Sequence, residues 1–159
     1  MAFASAPFPA KDPIAQPRTG LVTDPWIEWL TALIGDVDAS PARLQTVTLT
    51  LQGASIGTTS IPFGALDTGL YRVSYYARIT RAATTSSSLT VTLGWTEGGI
   101  SLTSAGAAMT GNTTGTVQSG TLLIRIDAAS PVSYATTYAS VGATSMQYRL
   151  DVLLEQLDA

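Results

Sequence analysis

At 159 residues the chain suits one domain of ordinary size with an extension. Its apolar share of 45% is that of a globular protein, but only 12% of its residues are charged, about half the usual fraction, and Thr and Ser stand in their place. The net charge of −3 comes without a basic stripe, which argues against nucleic-acid binding; the absence of Cys excludes disulfides, and the absence of His removes the commonest general base and metal ligand together.

Residues 1–23 form the first expected element, an extended Pro-rich arm. Pro7, Pro9, Pro13 and Pro17 recur too often for a helix or a central strand and bias the backbone toward polyproline-like extension. The same prolines interrupt any apolar signal-peptide core, and no basic region precedes them. No stretch reaches the roughly 20 apolar residues that a membrane-spanning helix needs, so no membrane insertion is expected.

Residues 24–35 read as a short amphipathic helix. Asp24 can cap its N-terminus, and Pro25 fits the first helical position, where the missing N–H costs nothing. Trp26, Trp29, Leu30, Leu33 and Ile34 then fall on one face, and Gly35 is a plausible C-terminal cap. Two tryptophans are a large apolar payload for a helix this short. Such a helix is built to dock, either in cis on its own β domain or in trans on a partner or on other copies. The adjoining arm, which has no means of folding alone, favours docking in trans. Leu21, Trp26, Trp29, Leu30 and Leu33 are accordingly the candidate partner-binding residues of an anchor. Residues 36–43 are a polar connector with a turn at Ser40-Pro41.

From residue 44 to 159 the period is two, and an all-β domain is expected. Thr46, Thr48 and Thr50 alternate with Val47, Leu49 and Leu51 as a half-buried strand with its hydroxyls outward. A turn-rich stretch at 53–59 and a short strand at 60–63 follow. A long strand from Gly69 to Thr80 places Tyr71, Val73, Tyr75, Ala77 and Ile79 on one face and Arg72, Ser74, Tyr76 and Arg78 on the other. Beyond a polar loop at 82–87, Leu89, Val91, Leu93 and Trp95 make the next inward face. Glu97-Gly98-Gly99 turns into a strand near Ile100, and further strands cover 117–126, 132–138 and 146–157. Short strands at this spacing without intervening helices indicate an antiparallel β-sandwich of jelly-roll type. Its inner face is expected to hold Val73, Tyr75, Leu89, Val91, Leu93, Leu122, Ile124, Leu150 and Val152.

Little in the chain suggests chemistry. Asp127, Asp151 and Glu155 are scattered along the chain, where a glycosidase needs two carboxyl groups across one cleft, and they read as turn and edge residues. A Ser or Thr nucleophile would have no His to activate it, and no G-x-S-x-G elbow is present. Asp36 and Asp38 form the one acid pair dense enough to weigh as a calcium site, and Asn112-Thr113-Thr114 matches a glycosylation sequon by a three-residue pattern alone. No catalytic residue, cofactor or metal is therefore assigned. The tyrosines can stack on sugars, but packing within the sandwich or between subunits accounts for them better. Arg72 and Arg78 suit contacts with carboxylates of another subunit.

The leader PRTGLVTDPWIEWLTAL resembles the N-terminal segments of small virion proteins of tailed bacteriophages. The stretches TGLYRVSYYARITRAATTSSSLTVTLGWTEGG and VSYATTYASVGATSMQYRLDVLLEQL resemble β modules of phage appendage and accessory proteins, which are similar to jelly rolls of the tumour necrosis factor and complement type. The resemblance implies a homotrimer in the virion, made in the host cytoplasm. Residues 1–34 would bind a capsid, portal/collar or tail component, and the β domain would face outward as a head-fibre, decoration or appendage module. Low charge and abundant hydroxyls agree with it, since hydroxyls desolvate more cheaply than charged groups. The alternative is a receptor-binding tail-fibre module whose loops Thr84–Ser88, Gly111–Gly115 and Ser140–Ser145 hold host surface glycan.

Overall fold

The structure, a computed structural model, describes Trp26, Ile27 and residues 44–157. The chain divides into two units, Met1–Pro41 and Ala42–Ala159. In the first, Trp26 and Ile27 have helical backbone; the rest of the expected helix, the arm 1–23 and the connector 36–43 lie outside the described residues.

The second unit is all-β. Its strands are β1 (Leu44–Gln52), β2 (Thr59–Ser60), β3 (Gly69–Arg81), β4 (Ser86–Glu97), β5 (Ile100–Ala105), β6 (Val117–Ile126), β7 (Ser133–Val141) and β8 (Gln147–Gln156). They form two four-stranded sheets, ordered β1-β8-β3-β6 and β2-β7-β4-β5. β1 pairs with β8, β2 with β7, β3 with β6 and β4 with β5, all antiparallel. A ribbon of paired strands folded back on itself in this order is a jelly roll, so the strand pairing alone establishes the expected fold class.

Alternation decides which side chains lie between the sheets. Tyr71, Val73, Ala77 and Ile79 of β3, Leu89 and Val91 of β4, and Tyr148, Leu150, Val152 and Leu154 of β8 are all fully buried. Each aliphatic side chain of this kind contributes about 1.5–3 kcal/mol when removed from water. Phe63 packs edge-on against Tyr71, ring centres 6.3 Å apart. Every residue expected on the inner face lies there, with Leu122 half-buried at its margin.

Three local expectations are corrected. The short strand expected at 60–63 is Thr59–Ser60: Ile61 still bonds the Val132 carbonyl at 2.8 Å, but Pro62 has no N–H to extend the ladder. The loop expected over 82–87 is shorter, because β4 begins at Ser86 and Ser87 is buried. Leu51 does not continue the inward face of β1. The register shifts between Leu49 and Gln52, and Leu51 sits at φ 56° with its side chain exposed, a bulge that alternation alone does not foresee.

Candidate functional site

The jelly roll has two distinguishable ends. β1 begins at Leu44, opposite Glu155 near the end of β8, so the preceding segment joins the sandwich at that end. At the opposite end lie the connections 82–85, 106–116 and 142–146. The three stretches expected as glycan-binding loops are thus brought together, although Ser86–Ser88 belong to β4 and Ser140 and Val141 to β7.

Backbone and hydroxyl bonds hold this distal end. Thr84 N–H donates to the Thr144 carbonyl at 3.1 Å, Thr144 N–H returns to Thr84 Oγ1 at 2.9 Å, and Thr85 N–H reaches the Val141 carbonyl at 3.0 Å. Gly142, at φ 115°, makes that approach possible, since a Cβ there would lie 2.6 Å from Thr84 Cβ. Asn112, in the sequon-like triplet, is a strut between loops. Its Oδ1 accepts from Ala83 N–H and Ser87 Oγ at 2.9 and 2.8 Å, and its Nδ2 donates to the Ala83 carbonyl at 2.9 Å.

A buried polar chain ties residues 53–58 to the core. Tyr148 donates its hydroxyl proton to the Ala54 carbonyl at 2.9 Å, so the Thr136 hydroxyl, 2.7 Å away, is the donor to Tyr148 Oη. Thr136 Oγ1 accepts in turn from Ile56 N–H at 2.8 Å. Burial pushes the Tyr148 phenol above its ordinary value, the Thr136 bond opposes the shift, and Tyr138 adds to it. Tyr148→Phe leaves the Ala54 carbonyl unpaired and is expected to cost about 1–3 kcal/mol, read by chemical denaturation.

The two outer faces differ in charge. Within β2, β7, β4 and β5 the only ionisable acid or base other than tyrosine is Glu97, at the end of its strand. On the other sheet the register lines up four rows: Leu44, Glu155, Arg72 and Leu123; Thr46, Leu153, Ser74 and Thr121; Thr48, Asp151, Tyr76 and Ser119; and Arg149, Arg78 and Val117. The proximal half of this face is rich in leucine, with Leu44 and Leu123 each 60% exposed. The distal half carries Tyr76 and arginines.

The carboxylates are engaged in holding the fold. Glu155 takes Arg72 across the strands, Nε at 2.8 Å with Nη2 also bonded to Oε2. Asp151 takes Arg149 through two bonds of 2.7 and 2.9 Å and the Thr48 hydroxyl at 2.7 Å. The Arg149 bond is the main cause holding the Asp151 carboxyl below the usual carboxylate range. Asp127 caps the Gly98-Gly99 turn, accepting from both N–H groups at 3.0 and 2.8 Å. Arg72 is thus already paired within its own chain, and Arg78 makes no ion pair among the described residues. Nor do those residues include a group of three metal-ligating side chains.

Of the residues expected to form an anchor, Trp26 is half-buried, while Leu21, Trp29, Leu30 and Leu33 lie outside the described residues, as do Asp36 and Asp38. Among the described residues no helix is long and apolar enough to cross a membrane. Sequence reasoning placed Leu122 inward and so left Leu123 outward, but it missed the leucine patch, because only the pairing of β1, β8, β3 and β6 gathers Leu44, Leu123 and Leu153 on one face. It also missed two depressions. One of about 280 Å³ lies over Gly94, between Thr103 and Ser133. The other, about 150 Å³, opens between β5 and β6, where the ring of Tyr75 lies between Gly106 and Gly120.

No family model matches the chain, and no curated protein matches it. Among solved structures it is similar to the globular domain of a zebrafish complement 1qA protein, at 13% identity over 74% of this chain and 98% of that one, TM-score 0.45. It is also similar to the PRD1 vertex protein P5, at 12% identity over 75% and 100%, TM-score 0.44. A third is the Eiger TNF from S. frugiperda, at 11% identity over 73% and 94%, TM-score 0.34. The jelly roll rests on the strand pairing of this chain and not on these likenesses.

Proposed function

We propose that this chain is a non-enzymatic structural protein of a tailed-phage virion. In this reading it is a homotrimeric head-fibre, decoration or collar/tail appendage module, held to the particle by residues 1–34. The observation that carries the reading is the polarity of the β unit: the segment before Leu44 joins one end, and the hydrogen-bonded loops gather at the other. Such a unit is suited to being held at one end and presenting the other. The leader around Trp26 and Trp29, with its resemblance to phage virion segments, supplies the virion part.

The leucine-rich half of the outer face supports self-association. Leu44, Leu123 and Leu153 surround an Arg72–Glu155 pair that is already neutralised, a surface of low desolvation cost. A stable contact of this kind buries about 800 Å² per partner. Light scattering of the full chain is expected to give three times the chain mass, and Leu123→Asp is expected to give the monomer. A monomeric wild-type protein at micromolar concentration contradicts the trimer.

A second reading, adhesion to host glycan, is favoured by the hydroxyl-rich loops brought together at the distal end. Saturable sugar binding lost on substitution of Thr84 or Thr144 supports it; a blank glycan array contradicts it.

A further inference from the structure

The distal half of the outer face of β1-β8-β3-β6 carries three of the five arginines that the described residues contain, Arg78, Arg81 and Arg149. Arg78 and Arg149 are directly opposite one another across β3 and β8. Like charges so placed destabilise a sheet, and only one acid, Asp151, lies among them. Asp151 is committed in bidentate fashion to Arg149.

A bulge adds the third guanidinium. Along β3 the inward residues run Tyr71, Val73, Tyr75, Ala77 and Ile79, and strict alternation would turn Arg81 inward as well. The register shifts between Ile79 and Arg81, so that Arg81 pairs with Gln147, whose neighbour Tyr148 is the buried one. Arg81 is thereby re-aimed to the outer face beside Arg78, the use to which bulges are often put near binding sites. Its Nε donates to the Ser145 carbonyl at 3.0 Å, which fixes its direction. Tyr76, two residues before Arg78 on the same face, is 41% exposed.

We infer that Tyr76, Arg78 and Arg81 form a binding site for an acidic sugar, a pyranose carrying a carboxylate or sulfate, within a polysaccharide. The tyrosine offers a face on which the ring of the sugar stacks, and the guanidinium forks match the planar anion. Gln147 lies opposite Arg81 across the strands, and the exposed Thr84 and Thr144 stand on the connections that follow β3 and precede β8. A nucleic acid fits less well, because the cluster is confined to one end of a unit whose arginines and acids balance. The site is independent of how residues 1–34 attach the chain.

The test is binding of the full chain to immobilised alginate, dextran sulfate, neutral dextran and double-stranded DNA. Retention on alginate or dextran sulfate and not on dextran is expected, the two anionic arms telling carboxylate from sulfate. Arg78→Gln is expected to raise Kd about tenfold or more. Tyr76→Ala should weaken binding too, and Arg125→Gln, at the proximal end of the same face, should leave it unchanged. Tyr76, Arg78 and Arg125 are all exposed, so none of the three variants should melt below wild type. No retention on either anionic polymer overturns the proposal, as does an equal loss from Arg125→Gln, tighter binding to DNA, or a fall in oligomeric mass on Arg78→Gln.

Discussion

Gly120→Ala is expected to lower the melting temperature by several degrees, and Tyr75→Leu is expected to remove most of that loss in the double variant. At Gly120 the backbone is not in the left-handed region, so alanine is conformationally acceptable there. With space available, the substitution would stabilise by about 0.4–1 kcal/mol through the unfolded chain. The space is filled by Tyr75. A Cβ on Gly120 would lie 2.5 Å from Tyr75 Cε1, and one on Gly106, on the other side, would lie 2.2 Å from Tyr75 Oη. The ring cannot retreat from one glycine without approaching the other, and it is only 9% exposed. Overpacking of this kind costs about 1–3 kcal/mol. Because the conflict belongs to one pair, the two substitutions should be strongly non-additive. Calorimetry of the singles and the double measures it. A Gly120→Ala protein that melts with wild type, or above it, contradicts the packing described.

The glycines mark where sequence reading stops. Alternation was enough to place Tyr71 through Ile79 and Tyr148 through Leu154 inside, because a period of two needs only the chain itself. That Gly120 and Gly106 face the same tyrosine depends on β6 pairing with β3 in one sheet and on the end of β5 lying against it from the other. The same limit explains Arg72: its carboxylate partner is Glu155, 83 residues away, and the pairing of β3 with β8 decides it. Bulges are the second limit. A single inserted residue reverses the parity of everything after it, which turned Leu51 outward and brought Arg81 beside Arg78. The distal loops were legible as loops, but their mutual hydrogen bonds follow from the jelly-roll order.

The other large effect is expected at the anchor. Truncating an aromatic side chain in a packed site costs about 3–5 kcal/mol, and Trp26→Ala with Trp29→Ala removes two. If the helix docks on another virion component, the loss falls on assembly: the double variant should melt as wild type does and be depleted from particles. A lowered melting temperature would instead mean that the tryptophans cover the β unit of their own chain. The two outcomes separate docking in trans from docking in cis, a choice that composition and periodicity leave open.

The central claim, that residues 1–34 attach a self-sufficient β module to a particle, is tested most directly by removing them. Particles assembled in cells that make only residues 35–159 should lack the protein, while the truncated chain, purified from the same cells, melts cooperatively at the wild-type temperature. Incorporation of the truncated chain at the wild-type copy number would contradict the account.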